Sequence, residues 1–185
     1  MKSVTLFVIL AAGIIAILGF TQPTYQKQPV TNNPIDLATT QLIFVVRHAD
    51  TTPNTGNNPN LNPQGQARAL SLANMIQDEE LGAIYVTNTL RSSQTAAPTS
   101  AATGISPTVY PALDAVGLAT TINALEDTNT TLVIAHSNTV PTIITALGGP
   151  TFEDLKETSF DHFYAVLLKD GRHVRTIQLR YSAAL

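Results

Sequence analysis

The chain has 185 residues, 44% hydrophobic and only 12% charged, about half the usual charged share of a soluble domain. Thirteen acidic residues against ten Lys and Arg leave a net charge of −3, which offers no basic surface to a nucleic acid. Cysteine is absent, which excludes disulfides, thiol catalysis and thiolate metal sites.

The chain opens with Met1-Lys2-Ser3 and an uncharged apolar stretch, Val4 to Phe20. That arrangement predicts a targeting segment over 1–20, either a signal peptide or an N-terminal membrane anchor. The expectation is an exported protein of the periplasm or cell envelope, and a retained segment would attach it to a membrane through residues 4–20. The stretch is long for a signal-peptide core and short for a span, so cleavage and retention stay open. Residues 21–40 carry Pro23, Pro29 and Pro34 without periodicity and read as a flexible polar tether. The folded domain is expected over 41–185.

Leu42-Ile43-Phe44-Val45-Val46 predicts a buried strand that ends in Arg47-His48-Ala49-Asp50. Residues 51–60, rich in Thr, Asn, Pro and Gly, form a loop. Asn62-Pro63 supplies an N-cap and a first-turn proline for a helix running through Ala67, Leu70, Leu72, Ala73 and Ile76. A second strand, Ala83 to Val86, leads to a helix from Leu90 to Ala102. Thr108 to Tyr110 is a short strand, followed by a helix expected at Thr120 to Glu126. Thr131 to Ala135 is the next strand and delivers His136-Ser137-Asn138-Thr139. Val140 to Leu147 then makes a helix, with Pro141 in its tolerant first turn, stopped by Gly148-Gly149-Pro150. Phe163 to Leu168 and His173 to Leu179 flank a hairpin turn at Lys169 to Arg172. The alternation predicts a three-layer α/β/α domain with a mostly parallel central sheet and an antiparallel edge.

Two apolar strands that each end in a histidine place imidazoles at the carboxyl edge of the sheet, where open α/β folds bind ligands. Between Gln41 and Val140 there is no lysine and only three arginines, Arg47, Arg68 and Arg91. Arg47 and Arg91 follow strand ends, and the guanidinium fork matches phosphate oxygens. Arg68 is expected on the outer face of the first helix. Arginines beside both histidine segments would repel a cation, and no spacing of metal ligands is present. His162 and His173 read as partly exposed strand histidines, and Glu126 and Asp127 as the solvated end of a helix.

Arg47-His48-Ala49-Asp50 resembles the Arg-His-Gly signature of the histidine phosphatase (phosphoglycerate mutase-like) superfamily, with alanine replacing glycine. Leu61-Asn62-Pro63-Gln64-Gly65-Gln66-Ala67-Arg68-Ala69 resembles that family's Leu-Thr-x-x-Gly-x-x-Gln-Ala segment. Val86-Thr87-Asn88-Thr89-Leu90-Arg91-Ser92-Ser93-Gln94-Thr95-Ala96 resembles Ser-Pro-Leu-x-Arg-x-x-Gln-Thr-Ala, and His136-Ser137-Asn138-Thr139 stands where the second histidine falls. The resemblance implies the phosphoglycerate mutase-like fold and a phosphomonoester hydrolase acting on a small phosphorylated substrate without cofactor. It implies His48 as nucleophile forming a phosphohistidine. Arg47, Arg91 and His136 would then be the phosphate cradle, with Ser137 at the opening of the next helix. The family's acidic residue falls near Leu113-Asp114-Ala115-Val116-Gly117, which makes Asp114 the candidate general acid and Asp50 its rival; either could instead be a turn aspartate. A catalytically weak phosphate- or anion-binding envelope protein of the same fold is the alternative function. A phosphomutase is a lesser one, because it would need more basic residues to hold a bisphosphorylated intermediate. A purely structural envelope protein is the least favoured. The physiological substrate and the oligomeric state stay open.

Overall fold

A computed structural model of the chain describes residues 40–53, 56–125 and 130–183. The expectations for 1–20 and most of 21–40, and for Glu126 and Asp127, lie outside the described residues. Six strands form one sheet in the order β3-β2-β4-β1-β5-β6. These are β1 (Thr40–Arg47), β2 (Leu81–Thr87), β3 (Thr108–Tyr110), β4 (Thr130–Ala135), β5 (His162–Lys169) and β6 (Arg172–Arg180). The pairs β2–β3, β2–β4 and β1–β4 are parallel, while β5 runs antiparallel to β1 and β6 antiparallel to β5. The mostly parallel sheet with an antiparallel edge is therefore as expected.

Helices cover both faces. On one, α3 (Ala115–Asn123) and α4 (Thr139–Ala146) pack Leu118, Ile122, Val140, Ile143 and Ile144 against Ile43, Val45 and Val133. On the other, α1 (Pro63–Met75) and α2 (Leu90–Thr103) bring Leu72, Ile76 and Ala96 against Phe44, Val46, Leu132 and Ile134. The central strands β1 and β4 are sealed on both sides, which is why they read as unbroken apolar runs rather than as alternation. No described helix is long and apolar enough to cross a membrane.

Local chemistry explains most helix starts. Asn62 caps α1 by accepting from the Gly65 amide, with Pro63 at the first helical position. Gly65 is dictated by packing: a Cβ there would sit 2.1 Å from the Asp50 carbonyl oxygen. The close approach seats α1 on the loop that leaves His48, and the Asn62 amide donates to that same carbonyl. Helix α3 begins five residues before the expected start. Asp114 is its N-cap, accepting from the Gly117 amide, and this local bond starts the helix at Ala115.

The strand order sets the functional edge. β1 lies beside β4 and β4 beside β2, so the carboxyl ends of three parallel strands are neighbours. Arg47 is in register with Ala135, and Val86 with Ile134. His48, His136 and the turn into α2 consequently emerge side by side.

Candidate active site

A cavity of about 390 Å³ opens at this edge, lined by Arg47, His48, Arg91, His136, Ser137 and Glu157 together with residues of the 51–59 loop and Asn138. Five of the residues singled out in the sequence thus share one site; Asp114 is not among those lining it.

His48 continues the strand: its amide donates to the Ala135 carbonyl at 2.9 Å. The next amide, Ala49, donates to Thr95 Oγ1 of α2, and Thr95 donates in turn to the Arg91 carbonyl. Ala49 is fully buried, so the backbone that carries the imidazole is clamped from both sides. The ring of His48 has Nδ1 2.9 Å from the Ala49 carbonyl oxygen. A carbonyl only accepts, so Nδ1 carries the proton and Nε2 keeps a lone pair. Burial, opposed by that backbone bond and reinforced by Arg47, His136 and Arg91, lowers the His48 pKa to about 3. The imidazole is neutral at physiological pH.

His136 stands edge-on to His48, with ring centroids 5.3 Å apart. Its Nε2 lies 2.9 Å from Thr87 Oγ1, a hydroxyl also in contact with Ser92 Oγ and Thr89 Oγ1. Burial first, then Arg91 and Arg47, lowers its pKa to about 4, with Glu157 opposing. Arg91, in the first turn of α2, reaches the Asn57 carbonyl at 3.3 Å.

Arg47 is 3% exposed. Its Nη1 donates to the carbonyls of Lys156, Glu157 and Ser159, and its Nη2 to Glu157 Oε2 at 2.7 Å. The guanidinium lies 4.1 Å from the centre of the Phe160 ring, and its Nε is buried without a hydrogen-bond partner. The charge is therefore held, desolvated and stacked, beside His48.

Neither candidate acid lines the cavity, and each is engaged elsewhere. Asp114 is exposed and its carboxylate is engaged as the cap of α3, so the geometry does not present it as a proton donor. Asp50 is buried and bonded through Oδ2 to Arg68 Nε at 2.6 Å. Arg68 is itself 7% exposed and donates to the Tyr181 carbonyl as well. It is a buried structural cation, which corrects its assignment to the outer face of α1: Asp50, eighteen residues earlier, supplies the partner that makes burial tolerable. His162 is buried against Tyr164 rather than partly exposed, while His173 is half-buried against Thr176.

Glu157 was not apparent from the sequence. It sits in Glu153-Asp154-Leu155-Lys156-Glu157, a mixed-charge stretch that resembles any solvated loop. In the structure its carboxylate accepts from Ser137 Oγ and from Arg47. The Ser137 hydroxyl and Arg47 first, against burial, hold it below the usual carboxylate range. Among the described residues, no three His, Asp or Glu side chains come together to hold a metal.

The histidine phosphatase superfamily (branch 1) family model matches residues 43–118, the segment from β1 through the start of α3. Among solved structures, the protein histidine phosphatase SixA complexed with tungstate is 23% identical at a TM-score of 0.66, over 76% of this chain and 97% of that one. A phosphoglycerate mutase from Plasmodium falciparum is 20% identical at a TM-score of 0.53, over 80% and 94% of the two chains. A mycobacterial glucosyl-3-phosphoglycerate phosphatase is 13% identical at 0.52, over 78% of this chain and all of that one. No curated protein sequence matches the chain. The solved structures show the fold, and the histidine phosphatase superfamily model matches the stretch that carries His48 and Arg91.

Proposed function

We propose that the protein is a phosphomonoester hydrolase that works through a phosphohistidine intermediate on a small phosphorylated substrate. The observation that carries this reading is the tautomer of His48. Its Nδ1–H is committed to the Ala49 carbonyl, which leaves a neutral Nε2 as the nucleophile. In the first step Nε2 bonds to phosphorus and the P–O bond to the leaving group breaks. In the second, water attacks the phosphohistidine, His48 is released and inorganic phosphate forms. Arg47, Arg91 and His136 would bear on the equatorial oxygens, where positioning and charge do most of the work of phosphoryl transfer. That a SixA structure of this fold was solved with tungstate, a tetrahedral oxyanion, supports an oxyanion-binding role. The N-terminal segment supports a location in the cell envelope.

One observation favours a second reading. The only carboxyl among the described residues lining the cavity is Glu157, and it is held ionised. A site without a protonated acid suits leaving groups that depart unassisted, or a relative that binds phosphate and turns it over weakly. Hydrolysis of an activated aryl phosphate by wild type and His48→Ala decides between them. The hydrolase reading requires turnover by wild type, loss of at least 1000-fold in the variant, and an acid-labile, alkali-stable phosphoprotein on quenching. Equal turnover by His48→Ala sinks it.

A further inference from the structure

The charges around the cavity do not balance a phosphoryl dianion. Arg47 and Arg91 supply two positive charges and Glu157 removes one, while both histidines are neutral. Arg47 is also the more heavily engaged cation, with Nη1 and Nη2 already donating to the 156–159 loop. A dianion in this pocket leaves about one negative charge uncompensated, beside a carboxylate whose side chain is 79% exposed toward solvent. No other acidic or basic side chain is among the described lining residues.

We propose that Glu157 is the substrate-selecting residue of this site: its carboxylate favours phosphorylated substrates whose group beyond the phosphoryl is cationic and turns away those with a second anion there. The inference rests on the oxyanion-site reading above but not on catalysis. A cation on the substrate completes the charge balance and pairs with the exposed carboxylate. A second anion meets Glu157 directly, without a lysine or third arginine to receive it. Ser137 and Arg47 fix the carboxylate in place from two sides, so it does not swing aside without breaking two charge-assisted hydrogen bonds. A unit charge held ~6–8 Å from it, in surroundings close to water, alters binding by about threefold in opposite directions for the two signs, and so by about tenfold in their ratio.

The test uses binding, so that it stands apart from hydrolysis. Two arylphosphonates, which cannot be hydrolysed, carry either an aminomethyl or a carboxylate group at the para position. Their Kd values are measured by calorimetry for wild type and Glu157→Gln. Wild type is expected to prefer the aminomethyl ligand by at least tenfold, and the preference is expected to fall about tenfold in Glu157→Gln. A carboxylate that only props up Arg47 would weaken both ligands equally and leave the ratio unchanged, which overturns the proposal. If Glu157→Gln does not fold, wild type alone decides. Its preference must be present at 0.05 M NaCl and shrink at 0.5 M, and equal affinities at low salt refute selection. Failure of the aminomethyl phosphonate to bind also refutes it. A failed hydrolysis assay with selection intact would instead strike only the catalytic reading.

Discussion

The neutrality of His48 has a thermodynamic signature that can be measured without substrate. In the unfolded chain its imidazole takes up a proton near the ordinary histidine value of about 6.5; in the folded protein burial holds that step down to about pH 3. Above pH 6.5 the ring is neutral in both states and contributes no pH dependence. As the pH falls from 6.5 toward 3, the unfolded state binds a proton that the native state refuses, so stability is lost across that window. At pH 5 the penalty is RT ln(1 + 10^1.5), about 2 kcal/mol relative to pH 7. With 5% exposure the ring has little solvent to soften this. The perturbation is His48→Asn, whose amide nitrogen can still donate to the Ala49 carbonyl. Urea unfolding at constant ionic strength, at pH 5, 6 and 7, gives the pH dependence for each protein. His136 and His162 are also lowered by burial, but both remain in the variant and their share cancels. The loss between pH 7 and 5 should be about 2 kcal/mol smaller in His48→Asn than in wild type. Slopes that agree within about 0.5 kcal/mol would mean that His48 protonates normally in the fold, and the argument for a neutral nucleophile would fail.

Arg68→Met strands the buried Asp50 carboxylate and should cost about 3–5 kcal/mol in urea unfolding. Adding Asp50→Asn should recover more than half of it, and no recovery would deny the pair. Asp114→Ala should remove only a helix cap, about 1 kcal/mol, and leave kcat/KM within twofold; a hundredfold loss would reinstate Asp114 as the acid. Thr87→Val takes the hydrogen-bond partner from His136 Nε2. It should lower kcat about tenfold with KM little changed, since a misaligned cradle weakens transition-state contacts first. A change confined to KM would make Thr87 a binding residue only.

What could be read from the sequence divides by range of interaction. β1 and β4 were legible because a strand buried on both faces leaves an uninterrupted apolar run, and α1 because Asn62 and Pro63 lie next to the turn they start. The start of α3 was missed although its signal is equally local. Asp114 stands three residues before Gly117, the spacing of an N-cap, but an acid in that place invited a catalytic reading. Arg68 and Glu157 are a different case. Arg68 is buried because Asp50 approaches across the α1 packing, and Glu157 reaches the cavity because Arg47, 110 residues earlier, gathers the loop beneath it. Neither partner is visible in the neighbouring sequence, and a charged residue without its partner in view resembles a solvated one.

That gathering links the two ends of the chain's chemistry. One guanidinium nitrogen of Arg47 donates to three carbonyls, those of Lys156, Glu157 and Ser159, and Phe160 lies against the same group. The cation that a phosphoryl group would use is therefore also the post around which the 156–160 loop is wound. Building the loop this way delivers Glu157 to the cavity and keeps Arg47 rigid, because losing these contacts together would leave buried donors unpaired. It also means that the substrate preference proposed for the loop cannot drift independently of the site. Any substitution that shifts residues 156–160 withdraws partners from Arg47, which stands next to His48 in the chain. On the proposed reading, selection and the phosphoryl cradle are coupled through a single side chain.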